Sequence, residues 1–149
     1  MKELKGNIWD YYGKEGYAIG ITTNGTIKKD GTAVMGAGVA KEASLKNPDL
    51  PERLGTCLSL GGNNFCYLDK DIFAFPVKHN WWEKADIKLI EKSCKQLMHF
   101  LNNPDIEFQH IKKFILVRPG CGNGKLKWED VKAVIEPILD DRVEVITYE

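Results

Sequence analysis

Apolar side chains recur at steps of three and four through Ile87, Ile90, Cys94, Leu97, Met98 and Leu101. That stripe predicts a helix from about Lys84 to Leu101. Elsewhere the period changes. Tyr17 to Thr22 and Phe114 to Val117 are short, nearly unbroken apolar runs, as in strands covered on both faces. Val143, Val145 and Thr147 alternate as a closing strand, and Leu4 to Trp9 reads as a short first one. Phe65 to Leu68 and Ile72 to Val77 read as two strands around an Asp69-Lys70-Asp71 turn. Two more helices are marked. One runs from Gly38 to Lys46 and is stopped by Pro48; the other carries Val131, Val134, Ile135 and Ile138, with Pro137 loosening its last turn.

Strands interleaved with helices predict an α/β fold, a three-layer α/β/α sandwich around a central mixed, mostly parallel sheet. No repeat, low-complexity tract or linker interrupts the 149 residues, so 1–149 is read as one domain. At this length folding buries roughly 70% of the unfolded surface.

Charge removes one class of function. Lysine plus arginine equals aspartate plus glutamate at 21 each, so no global basic field draws in nucleic acid. Lys112, Lys113, Lys125 and Lys127 form either a local basic patch or an ordinary solvated face. The start, Met1-Lys2-Glu3-Leu4-Lys5, has no apolar signal region, and no apolar run approaches membrane-spanning length. Cys57, Cys66, Cys94 and Cys121 are scattered, as for free thiols in a reducing cytoplasm. His79, His99 and His110 have no ligand spacing, and no metal site is expected. A monomer satisfies the pattern.

Two glycine-rich turns carry the chemistry. Met35-Gly36-Ala37-Gly38-Val39-Ala40 and Pro119-Gly120-Cys121-Gly122-Asn123-Gly124 each lie between an extended apolar stretch and a helix. Such a turn exposes unpaired backbone N–H groups at a positive helix end, where anionic oxygens bind. Two of them can hold a diphosphate from both sides, at the carboxyl ends of the strands where ligands of these folds sit. A Rossmann-type nicotinamide site is disfavoured, because Gly36-Ala37-Gly38 continues as Val39-Ala40-Lys41 without the third glycine.

In this order the residues resemble a macrodomain, the ADP-ribose-binding fold. Lys5-Gly6-Asn7-Ile8, Thr22-Thr23-Asn24-Gly25, Ala33 to Ala40 and Arg118 to Trp128 resemble its successive ligand segments across almost the whole chain. The resemblance implies ADP-ribose, or an ADP-ribosylated protein or DNA, as partner, and no cofactor. It assigns the diphosphate to the backbone of Gly36, Ala37, Gly38 and Val39 and of Gly120, Cys121, Gly122, Asn123 and Gly124. Asn7 and Ile8 would read the adenine, with Asn7 standing where the family carries an aspartate. Asn24 suits the distal ribose hydroxyls, although asparagine before glycine is also a turn former.

The likeness is to the branch that includes the human terminal ADP-ribose glycohydrolase and a bacterial antitoxin that removes ADP-ribose from DNA. There a lysine after a mid-chain strand carries catalysis, and the matching position, counted back from the long helix, is Lys78. The glycohydrolase adds an aspartate where this chain has Gly124; antitoxin-like members also carry glycine there and rely on the lysine. The implied activity is hydrolysis of an ADP-ribosyl linkage, the alternatives being an ADP-ribose 1″-phosphate phosphatase or a non-catalytic reader.

Attack by Lys78 on the distal ribose needs a neutral amine, through desolvation or a neighbouring cation such as charged His79. Otherwise Lys78 is an exposed lysine ending a strand. Trp81 and Trp82 either cap the ligand and stack on a base, or simply pack. Trp128 reads as a packing residue. Asp30 reads as a turn residue, the alternative being a carboxylate near the anomeric carbon.

Overall fold

The computed structural model describes Met1 to Tyr148. Six strands form one sheet in the order β1-β6-β5-β2-β4-β3. They are β1 (Lys2–Lys5), β2 (Tyr17–Thr23), β3 (Cys66–Asp69), β4 (Ile72–Pro76), β5 (Lys113–Val117) and β6 (Val143–Thr147). All neighbours pair parallel except β3, which runs antiparallel to β4 at one edge. Helices α1 (Gly38–Lys46), α2 (Leu50–Gly61), α3 (Ile87–Asn102) and α4 (Trp128–Ile135) complete the chain.

The sheet divides two apolar cores, and period two along its strands decides which side chain enters which. Phe73, Phe75, Phe114 and Leu116 face Ile90, Leu97, Val131 and Ile135 of α3 and α4. Ile19, Ile21, Ala74 and Ile115 face Ala43, Leu50 and Leu54 of α1 and α2. The result is the expected three-layer α/β/α sandwich with a mixed, mostly parallel sheet. β5 is interior, and its Phe114, Ile115 and Leu116 are fully buried.

Several boundaries differ from the sequence reading. The first strand ends at Lys5, because the Asn7 side chain accepts from Trp9 N at 3.0 Å and caps a 3-10 turn over Ile8–Asp10. β6 lies between β1 and β5, so Glu144 and Ile146 are buried along with Val143 and Val145. Helix α2 has no counterpart in the sequence reading. Its buried row is Leu50, Leu54 and Leu58, with Gly55 pressed against the Gly31 carbonyl.

Helix α3 begins at Ile87, three residues later than the apolar stripe suggested. Asp86 is extended there and its carboxylate accepts from Lys88 N at 2.9 Å. The other oxygen meets His79 Nε2 at 2.8 Å, and that contact above all holds the carboxyl below its ordinary range. Asp86→Ala is expected to cost about 1 kcal/mol in urea unfolding at neutral pH. Because the folded carboxyl is depressed, its contribution is present above about 3.9 and lost as pH falls through the lowered value. The variant and the parent should therefore converge in acid.

Candidate active site

Four parallel strands, β6, β5, β2 and β4, stand side by side and end at the same edge. Across those ends runs a cleft of about 980 Å³. At the usual strand spacing the row of ends spans about 14 Å, which suits an elongated ligand. Ile146, Thr147 and Tyr148 line the cleft at the β6 end, and Val77, Lys78 and Trp81 line it at the β4 end. Gly36 to Ala40 and Gly120 to Gly124 lie between.

The first turn leads into α1 without a side-chain cap. Ala37 is the extended cap residue, makes no capping hydrogen bond, and is followed by no acidic residue in the first turn. The opening N–H groups of α1 therefore have no intrahelical acceptor and keep their positive end available. Gly38 has φ of +58°, a left-handed conformation that turns the chain into the helix.

The second turn is stapled by its carbonyls and leaves its amides open. Leu126 N donates to Gly120 O at 2.9 Å, Lys125 N to Gly122 O at 3.1 Å, and Ala85 N to Gly124 O at 3.0 Å. Among the described residues, the N–H groups of Gly122, Asn123 and Gly124 have no protein acceptor. The turns face one another: a Cβ built on Gly38 would lie 3.3 Å from Asn123 Nδ2. Cys121 sits here too, but burial pushes its thiol up to about 11, so it is protonated at neutral pH and no nucleophile.

Lys78 follows β4, and its local contacts fix the backbone around it. Its N–H donates to Thr23 O at 3.3 Å, and its carbonyl accepts from Asn63 Nδ2 at 2.9 Å. Nζ donates to Trp81 O at 3.3 Å, and no carboxylate pairs with it among the described residues. The His79 ring contacts Asp86, and among the described residues it makes no hydrogen bond with Lys78. The segment is tied to the 24–26 turn, since Gly25 N donates to His79 O at 3.0 Å and Trp81 N to Thr26 Oγ1 at 3.1 Å.

Asn24 lines the cleft and also holds its own turn, donating to Val34 O at 3.1 Å and accepting from Thr26 N at 2.9 Å. One amide hydrogen and one lone pair remain for a ligand. Asn7 and Ile8 are not in the cleft lining: Asn7 caps its 3-10 turn, and Ile8 is buried. Asp30 accepts from Thr32 N and Oγ1 at 3.0 and 2.7 Å, the turn role, and does not line the cleft. Trp128 is partly buried, with Nε1 on Glu3 at 3.2 Å and the Arg118 guanidinium 4.8 Å over its ring.

The lining also holds residues to which the sequence reading gave no role. Lys28 and Arg118 add cations to the lining, and Glu42 is its only carboxylate among the described residues. Thr23 lines the floor with a buried Oγ1 that lacks a hydrogen-bond partner among the described residues. Such a group calls for a water or a ligand atom.

No family model matches the chain. A DNA ADP-ribosyl glycohydrolase of Thermus aquaticus is 30% identical over 128 residues, covering 78% of this chain and 34% of that protein. The chain thus spans about a third of that relative's length. Among solved structures, the macrodomain of Thermus aquaticus DarG superposes with a TM-score of 0.74 at 24% identity, covering 99% of this chain and 97% of that one. The chain has the macrodomain fold and resembles the macrodomains of DarG.

The Mycobacterium tuberculosis DarG macrodomain gives a TM-score of 0.68 at 21% identity, over 99% of this macrodomain and 98% of that chain. Thermosipho africanus DarTG, solved in complex with ADP-ribose, gives 0.65 at 20% identity, over 91% of this macrodomain and 39% of that chain.

Proposed function

We propose that this macrodomain binds ADP-ribose across the four strand ends and, through Lys78, hydrolyses an ADP-ribosyl linkage to a base in DNA. The observation that carries the reading is the pair of open amide cradles facing each other at Gly38 and Asn123, with a lysine at one end of the same cleft. The names of the relatives, a DNA ADP-ribosyl glycohydrolase and a protein solved with ADP-ribose, support the ligand and favour a nucleobase over a protein carboxylate.

In this reading the diphosphate sits between the turns, taking the free N–H groups from Gly38 onward and from Gly122 to Gly124. Each charge-assisted bond contributes about 1.5–3 kcal/mol. The adenosine half lies toward Thr147 and Tyr148, and the distal ribose toward Asn24, Thr23 and Lys78. The neutral Lys78 amine attacks C1″ of the ring-opened ribose and the bond from C1″ to the base breaks. The departing base takes a proton. Water then adds to the Schiff base, returning the free amine and releasing ADP-ribose.

Calorimetric titration with ADP-ribose, followed by a release assay on ADP-ribosylated DNA and protein, tests the reading. Saturable one-to-one binding and faster release from DNA are expected. Release of inorganic phosphate from ADP-ribose 1″-phosphate instead, or binding without any product, would replace hydrolysis with one of the other macrodomain roles.

A further inference from the structure

We infer that Trp82, braced by Trp81, is the platform on which the base attached to the scissile bond stacks. This rests on the reading above. The indoles of Trp81 and Trp82 are 55% and 64% exposed, although tryptophan is among the side chains that gain most from burial. Their rings meet at 88° with centroids 5.9 Å apart, an arrangement that leaves flat indole surface open to solvent.

Trp81 stands at the lysine end of the cleft, with the Trp82 ring against its own. Trp81 lines the cleft, and its backbone is fixed at two points, by Thr26 Oγ1 on its N–H and by Lys78 Nζ on its carbonyl. Trp82 follows directly and lies outside the lining. Whatever leaves C1″ emerges where the lysine stands, and Trp81, whose carbonyl holds Nζ, is at that point with the Trp82 ring against it. A carboxylate side chain gains nothing from an indole face. A nucleobase has a π-face that stacks on it, provided the base is unpaired and free of its neighbours.

The consequence is discrimination at the leaving-group side, separate from the recognition of ADP-ribose. Base stacking on an aromatic side chain is worth about 5- to 150-fold in affinity by alanine substitution. The test uses Lys78→Ala protein, so that substrate persists, and three probes: ADP-ribose, a single-stranded oligonucleotide ADP-ribosylated on one base, and a peptide ADP-ribosylated on a carboxylate.

The oligonucleotide should bind about tenfold more tightly than ADP-ribose and quench indole fluorescence further, whereas the peptide should match ADP-ribose. Adding Trp82→Ala should reduce the oligonucleotide to the affinity of ADP-ribose, and Trp82→Phe should recover most of the difference. Equal binding of oligonucleotide and ADP-ribose with Trp82 in place would overturn the proposal. So would a Trp82-dependent gain for the peptide, or an equal loss for all three probes. Failure of the underlying reading looks different: no ADP-ribose binding by the unmodified protein.

Discussion

Lys78→Ala is expected to lower the release of ADP-ribose from an ADP-ribosylated oligonucleotide by about 10⁶-fold, the scale seen when a covalent nucleophile is removed. Affinity for free ADP-ribose should change by no more than about threefold, since the diphosphate rather than the amine dominates ground-state binding. Among the described residues Nζ is held only by the Trp81 carbonyl, so its removal leaves no buried charge unpaired. Stability should therefore persist.

The same pair of measurements separates the possible roles of the lysine. A merely electrostatic Lys78 would be rescued by arginine, which keeps the charge but forms no Schiff base under these conditions. Borohydride added during turnover should trap an adduct at Lys78 in the parent protein and none in the alanine variant. Undiminished release by Lys78→Ala would end the lysine mechanism and leave the cleft as a binding site.

Gly124→Ala should cost both stability and ligand. An added Cβ would lie 2.5 Å from Gly120 O and 2.7 Å from Ala85 Cβ. Neither neighbour is the far end of a flexible chain, so the second turn must shift as a unit. Overpacking of this kind costs about 1–3 kcal/mol. It also moves the amides of Gly122 to Gly124, and a displacement near 1 Å can cost about 100-fold where geometry matters. A loss of at least tenfold in ADP-ribose affinity is expected by calorimetry, with a fall in Tm.

Gly36→Ala provides the contrast. No described residue lies within 4 Å of a Cβ there, so stability should stay within about 0.5 kcal/mol. Unaltered affinity and Tm in Gly124→Ala would mean that the second turn is neither tight nor part of the ligand site.

What the sequence disclosed followed the range of the interactions involved. Helix α3 was legible because its stripe from Ile87 to Leu101 is local, and the two glycine turns were legible because turn geometry demands glycine within a few residues. Helix α2 was not. Leu50, Leu54 and Leu58 keep the helical step, but Pro51 and Gly55 read as breakers. Only the fold reveals that Gly55 is small because the Gly31 carbonyl presses on it.

The same limit applied at the site. Lys78 was found by its distance from the long helix, whereas Glu42 and Tyr148 carried no signal of their own and join the cleft through the fold, Glu42 from α1 and Tyr148 just past β6. That Asp86, which starts α3, also contacts the His79 imidazole was not legible in the sequence either, because the two residues meet only once the helix is placed.

The uncapped start of α1 has a thermodynamic corollary. Alanine is a poor choice at that position, and serine or aspartate there would firm up the empty protein by roughly 1 kcal/mol. By forgoing them, the chain leaves its first helical turn to be finished from outside. The phosphate oxygens would then act as the absent cap, and ordering of that turn would be coupled to occupancy. Amide hydrogen exchange at Val39 and Ala40 would slow on saturation by more than the melting shift alone accounts for, making this short helix the reporter of a filled cleft.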